Sequence, residues 1–472
     1  MEEGRLLLQG EWVQTPETAS VYAPWDGRLL ARVAQASEAQ AESALDFAVG
    51  ARSRLQAQSA GARRAVLEAV AAGIVARSRE FEDLICHQAG KPRTLARAEV
   101  RRAAQVFRLA AAELSRFGGS VVPVDLEEAS AGLECEVRRF PAGVVVGIVP
   151  FNFPLNLGAH KVAPALAVGA PIVIKPPPQA PAPQLLLAEL VRAAGADPAA
   201  LQVLPCRDAV AEQLATSPKV RVLSFTGSAR VGWQLKQKAK GKVLLELGGN
   251  AAALIAADAD LDWAAERCSV AGFGYAGQVC IKVQRIFIER PVYEAFLERF
   301  LARARAVLTG DPSLEATLCG PVIDDNSAQR IAAWVDEAVA LGGRVLLGGK
   351  PQGRLVAPTV LVDVPLSAKL AREEVFGPVV VLWPVDSWEA GLAAVNASDY
   401  GLQAGVFTRS LGNVRSAFHQ LEVGGVLVNE PPSFRSDNAP YGGVKASGLG
   451  REGVRSAMEA MTEERLLITR VR

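Results

Sequence analysis

Between residues 141 and 247 short apolar runs alternate with longer stretches of helical periodicity, and that alternation restricts the chain to few folds. The spacing predicts strands at 144–149, 171–175, 201–204, 220–225 and 243–247. It predicts helices between them at 155–168, 183–194, 209–215 and 229–239. A strand, a helix and a further strand in repetition form right-handed crossovers, hence a parallel sheet covered on both faces. Open sheets of this kind bind ligands at the carboxyl ends of their strands. A second α/β region follows, with strands expected at 252–256, 284–288, 379–382 and 425–429 and helices at 291–307 and 326–341.

The first 115 or so residues are rich in Ala, Arg and Glu, and 37–53 and 61–78 carry the apolar spacing of amphipathic helices. Residues 120–139 differ: 121–124 and 134–137 are strand-like pieces around a polar turn, which predicts a projecting hairpin. The strand-like segment 465–471 is a candidate partner for it.

A length of 472 residues fits about three domains, or two large ones. The net charge of +1 offers nucleic acid and acidic membranes nothing to bind. No run reaches the roughly 18 apolar residues of a membrane span, and the charged start Glu2-Glu3-Gly4-Arg5 does not read as a secretory signal. The expected location is the cytoplasm, with the six cysteines reduced. Cysteines and the three histidines (His87, His160 and His419) are dispersed at no ligand spacing, so no metal site is expected.

Four local motifs can carry chemistry. Cys280 closes Gly277-Gln278-Val279-Cys280; a lone cysteine is by default a buried structural thiol. Glu246 lies 34 residues earlier, at the end of a predicted strand and before Leu247-Gly248-Gly249. It is either a cap or a carboxylate that enters a cleft, which the glycines would let the backbone approach. Asn152, in Pro150-Phe151-Asn152-Phe153-Pro154, is a turn residue or an amide aimed at an oxyanion. Phe225-Thr226-Gly227-Ser228 ends a strand and opens a helix, either as a plain cap or as a phosphate-binding N-terminus, with Lys175 at the same sheet edge.

Together with Lys175-Pro176, residues 373–378, Asn429 and Tyr441–Glu452 (YGGVKASGLGRE), these motifs resemble the aldehyde dehydrogenase superfamily along nearly the whole chain. The resemblance implies a Rossmann-like NAD(P)-binding domain (1–117 and 141–247), an α/β catalytic domain (248–452) and a β-hairpin oligomerisation arm (118–140 and 453–472). It implies a homodimer or homotetramer. It also implies that Cys280 attacks the aldehyde as a thiolate of depressed pKa, that Asn152 and the Cys280 N–H hold the oxyanion, and that Glu246 activates water against a thioester. Lys175 and Pro178 are expected at the adenosine ribose, Gly227 and Ser228 near the pyrophosphate, and Phe225 and Val231 among the cofactor contacts. Pro150, Phe151, Leu247 and Gly248 complete the cofactor contacts, with Glu374 at the nicotinamide ribose and Phe376 beside the nicotinamide.

Three departures bear on specificity. Many NAD-using members carry Glu where this chain has Pro178; losing that carboxylate admits NADP, which Arg207 and Arg230 are candidates to attract, so the cofactor is NAD or NADP. Val279 stands where relatives acting on phosphorylated aldehydes tend to have Arg. Arg108, His160 and Arg435 are the candidate substrate residues and point to a small polar or anionic aldehyde; the plain alternatives are a solvent-facing arginine and a satisfied helix histidine. Competing functions are a CoA-acylating enzyme, which needs no water-activating base, and a non-catalytic protein on the same fold.

Overall fold

The computed structural model describes residues 2–470. Met1, Val471 and Arg472 lie outside the described residues, so the ends of the expected arm and of segment 465–471 are followed only to Arg470.

Two sheets organise the molecule. The first has eight strands, and its parallel centre runs in the order Lys242–Glu246, Val220–Thr226, Val144–Ile148, Ile172–Lys175, Leu201–Val203. The strand that comes first in sequence, Val144–Ile148, lies in the middle; two later strands extend one way from it and two the other. The order therefore reverses between Val144–Ile148 and Val220–Thr226, and a crevice opens beyond their carboxyl ends. Every residue of Val144–Ile148 is buried, as a strand covered on both faces requires. Helix Asn156–Val168 is buried all round, which makes it the central pillar between this sheet and helices Ala60–Ala76, Arg93–Glu113 and Val454–Ala460.

The second sheet has seven strands, parallel except at the antiparallel edge Arg344–Leu347, with Arg285–Glu289 and Ala252–Ile255 near its centre. The chain returns to the first sheet late: Gly448–Leu449 pairs antiparallel with Lys242–Glu246, so Gly448 lies opposite Glu246. This return fastens the segment 441–452 to the seam between the two sheets.

The arm is a third sheet of three strands. Leu133–Pro141 is its centre, flanked by Ser120–Val122 and by Thr462–Arg470, which pairs antiparallel with it over nine residues. The expected helices 37–53 and 61–78 correspond to Glu38–Gly50 and Ala60–Ala76, the first closed by a capping box between Ser37 and Gln40. The helical reading of the N-terminal region was incomplete. Five strands precede these helices, and the hairpin Leu6–Leu8 with Glu11–Val13 extends the first sheet through Leu7 opposite Val203. None of the five exceeds six residues, too few for an alternating pattern to stand out.

Candidate active site

The Cys280 loop is built from unusual backbone. Tyr275, Ala276 and Gly277 take φ of 54°, 51° and 66°, three consecutive left-handed residues at the end of helix Leu261–Phe273. Only glycine adopts this region freely; for the other two the cost is on the order of 1–3 kcal/mol each. Surrounding contacts hold it there. The buried Tyr275 hydroxyl donates to the Ala89 carbonyl at 3.0 Å, and a Cβ on Gly277 would overlap the Gly377 carbonyl. Gln278 ties the loop on its other side: its Nε2 donates to the Pro321 carbonyl at 3.3 Å and its Oε1 accepts from the Ile323 N–H at 2.9 Å. The outcome is a fixed, half-buried Cys280.

Asn152 reaches this loop from the first sheet. It is buried, and its Nδ2 donates to the Gln278 carbonyl at 3.0 Å, two residues ahead of Cys280. A buried ion pair underpins its turn. Glu99 Oε1 accepts from the N–H groups of Leu155 and Asn156 at 2.9 and 3.1 Å, capping the central helix, and its other oxygen takes Lys91 Nζ at 2.5 Å. The Lys91 ammonium in turn sits 3.4 Å from the Phe153 ring centroid.

Glu246 ends its strand, buried, with a Cβ position on Gly442 2.8 Å from its Oε1 and with Oε2 unpartnered. Burial raises its carboxyl pKa well above the ordinary value; Glu452 adds to the rise, while Arg435, Lys161 and Arg451 oppose it. Glu452 itself accepts from Lys161 Nζ at 2.9 Å and from Arg435 Nη2 at 3.2 Å. Lys161 also donates to Ser224 Oγ and Thr226 Oγ1, so two cations share one carboxylate behind the Glu246 acid.

The thiol departs from expectation. Burial pushes Cys280 up to about 11 rather than down, with Glu374 and Glu246 acting in the same direction and Tyr441 and Arg435 against them. Its reaction therefore requires removal of a proton. Tyr441 Oη lies 3.3 Å from the Cys280 sulfur, a contact the sequence reading missed although Tyr441 opens one of its motifs.

The expected cofactor contacts divide into two groups. Pro150, Phe151, Lys175, Pro178, Phe225, Gly227, Ser228 and Val231 line one cleft of about 500 Å³ at the strand-order reversal. The helix Ala229–Lys238 opens into it, capped by Ser228, whose side chain accepts from the Val231 N–H. Leu247 does not line the cleft; it is buried beneath that helix, against which a Cβ on Gly232 would come within 2.5 Å of Leu247 Cδ2. On the other side of the seam, Glu374 Oε1 accepts from the Gly249 N–H at 3.2 Å, and a Cβ at Gly248 would overlap its carboxylate. Burial lifts Glu374 to about 7. Phe376 meets Phe151 edge-on at 6.0 Å, bringing the two groups together. Arg207 turns to Glu17 at 3.0 Å, and neither it nor Arg230 lines the cleft.

Of the substrate candidates, Arg108 is exposed on helix Arg93–Glu113, whereas Arg435 and His160 are enclosed. Arg435 stacks on Tyr441 with its Nε unpartnered, and His160 Nε2 shares a hydrogen with Asp437 Oδ1 at 2.8 Å while its Nδ1 is unpartnered. Sequence reasoning missed Arg102, which forks onto the same Asp437 at 2.9 and 2.6 Å. No cluster of potential metal ligands occurs among the described residues.

A doubly wound sheet with a cleft at its strand-order reversal, which brings carboxyl and carboxamide to a seam where a second sheet presents the thiol, fits a nicotinamide-nucleotide oxidoreductase. Comparison with known proteins makes the class specific. The chain belongs to the aldehyde dehydrogenase family, whose model matches residues 12–467, and it is an NAD(P)-dependent aldehyde dehydrogenase. It is 40% identical over 465 residues to the 3-sulfolactaldehyde dehydrogenase of Priestia megaterium, covering 98% of this chain and 97% of that one. Among solved structures it resembles aldehyde dehydrogenase 21 of Physcomitrella patens in complex with succinate (TM-score 0.97, 38% identity, 99% of this chain and 98% of that one). It is equally close in fold to the NADP-complexed glyceraldehyde-3-phosphate dehydrogenase of Bacillus halodurans (TM-score 0.97, 33% identity, all of both chains).

Proposed function

We propose that this enzyme oxidises a small polar or anionic aldehyde to its carboxylic acid through a covalent intermediate on Cys280. The observation that carries the reading is the convergence at Cys280 of the Asn152 amide, held at the Gln278 carbonyl, and of Glu246 behind the Tyr441-Gly442 turn. The Cys280 thiolate adds to the aldehyde carbon, and the carbonyl electron pair moves onto oxygen, where Asn152 Nδ2 and the Cys280 N–H donate to it. Bound NAD(P) supplies the hydride acceptor, and the residues of its cleft hold it at the seam. Loss of hydride from the adduct restores the C=O as a thioester. Glu246 then takes a proton from water as the water oxygen attacks, and the thiolate leaves. A handover to CoA has no use for Glu246, so its burial beside the nucleophile favours hydrolysis.

The polar substrate class rests on Arg435 and His160, whose unpartnered nitrogens lie in the same charge cluster as Glu246, and on relatives named for sulfolactaldehyde and lactaldehyde. Arg108, being exposed, is proposed only for the approach of the substrate. The same reading assigns the domain limits expected from sequence, a cytoplasmic location and a homodimer or homotetramer. The test is reduced-cofactor formation with acetaldehyde, lactaldehyde, succinate semialdehyde, glyceraldehyde 3-phosphate, hexanal and benzaldehyde. Cys280→Ala abolishes turnover, and Glu246→Gln leaves a rapid first turnover followed by a rate at least about a hundredfold lower. Preference for hexanal or benzaldehyde over the anionic and hydroxylated aldehydes would refute the substrate class.

A further inference from the structure

The hydrogen-bond partner of the Cys280 sulfur is a residue to which the scheme above gives no role. Tyr441 Oη lies 3.3 Å from it, and that hydroxyl has no other hydrogen-bond partner among the described residues. Its main chain and its ring are both held. The main chain of Tyr441 is paired with Glu452 by N–H to carbonyl bonds of 2.9 and 2.6 Å. The Arg435 guanidinium carbon lies 3.9 Å from the ring centroid, and the same arginine donates to Glu452 Oε2 at 3.2 Å. Tyr441 is 5% exposed, so little of its surface meets bulk solvent.

We propose that Tyr441 is a catalytic residue that donates its hydroxyl hydrogen to the Cys280 sulfur as the thiolate forms and again as it leaves the thioester, and that Arg435 is a positioning residue stacked on the ring to hold and strengthen that donor. The proposal rests on Cys280 being the nucleophile.

The chemistry follows from counting hydrogens. In the neutral pair either the S–H or the O–H can donate. Once the thiol proton has passed to Glu246 or to water, the sulfur is acceptor only, and the bond must run from Tyr441 to it. A bond to an ionised acceptor is roughly twice as strong as one between neutral groups, so it favours the thiolate selectively. A cation over the ring face pulls electron density from the phenol and improves the donor. The charged groups around the sulfur are Arg435, which favours the thiolate, and Glu374 and Glu246, which oppose it. Around Tyr441, Arg435 favours ionisation while burial, Cys280 and Glu246 oppose it. Tyr441 therefore keeps its proton when the thiol loses its own, and it acts by hydrogen bonding rather than as a base.

Tyr441→Phe preserves the ring, its packing and the Arg435 contact while deleting the donor. The measurement is the rate of Cys280 alkylation by iodoacetamide against pH on the full chain, read by intact mass, beside steady-state kinetics. The expected result is alkylation about tenfold slower at neutral pH, with the profile moved up by about one pH unit. kcat/KM falls in parallel at neutral pH and recovers toward wild type in alkali. Arg435→Gln, a second variant that leaves the hydroxyl in place, moves the profile the same way by less. Superimposable alkylation profiles for wild type and Tyr441→Phe overturn the proposal, as does a downward shift in Arg435→Gln. Should Cys280→Ala still turn over, it is the nucleophile reading that falls; an inactive Cys280→Ala with an unshifted Tyr441→Phe removes Tyr441 alone.

Discussion

Lys175 finds Asp208 Oδ1 at 3.8 Å, and this pairing changes what the absence of a carboxylate at Pro178 means. From sequence, Pro178 reads as an open door to NADP. In the structure Asp208 lines the same cleft at the start of helix Asp208–Thr216, while Arg207 is engaged by Glu17. A negative charge thus returns from a neighbouring loop to where a 2′-phosphate would approach Lys175. The expected outcome is that Asp208→Asn raises the ratio of kcat/KM for NADP over NAD about fivefold, the modest effect of an exposed charge a few ångströms away. Binding of adenosine 2′-phosphate, followed by calorimetry, should tighten in step and lose the effect at high salt. A ratio that the substitution leaves unmoved would show that Asp208 does not sense the 2′ position. Legibility at this scale was uneven. Cys280, Glu246 and Asn152 each sit in a local motif, and the fold brings those motifs to one seam. The Cys280–Tyr441 contact spans 161 residues with no local pattern to reveal it, and the raised thiol pKa depends on burial, which spacing does not encode.

The elements around the site are tied by a loop rather than by a sheet. Residues 433–437 are clasped at Asp437, which accepts from Arg102 on helix Arg93–Glu113 and pairs with His160 on helix Asn156–Val168. The largely apolar segment 155–168 predicted the central helix closely, because a helix buried on all sides carries few polar residues. The clasp left no such signature, since its members come from three separate segments. Burial, aided by Arg435, lowers His160 to about 4. The unfolded chain takes up that proton near 6.5, so between about 6.5 and 4 the unfolded state binds more protons and stability falls as pH drops. The loss attributable to this one group reaches about 3 kcal/mol at the bottom of the window. Asp437, held below its ordinary value by His160 and Arg102, yields its contribution only at lower pH. Thermal melts across this window should therefore slope less in His160→Gln than in wild type. Parallel slopes would assign the acid sensitivity elsewhere.

At the scale of the whole molecule, the described chain leaves apolar surface that a monomer has no means to cover. Leu466, Leu467 and Ile468 are 61%, 59% and 52% exposed on strand Thr462–Arg470. Successive residues of a strand face opposite sides, so both faces of the arm are uncovered at this edge, and its outer row of main-chain groups is unpaired as well. Val121, on the opposite edge strand, and Leu126, beyond that strand's end, are also exposed, at 78% and 83%. The sequence showed that strands were present here through alternation and turn residues, but the nine-residue register joining segments more than 300 positions apart emerges only from the fold. A second copy of the chain would supply apolar surface of matching extent, and charging the strand tests that expectation. Leu466→Glu with Ile468→Glu places two charges on one face of the strand, and Leu467→Glu places one on the other. The expected outcome in sedimentation is that wild type runs as a dimer or tetramer and that the double variant shifts toward the 49.8 kDa monomer. Comparing the two variants then reports which face meets the partner. A wild type that already sediments as a monomer would mean that the arm's apolar faces serve something other than self-association.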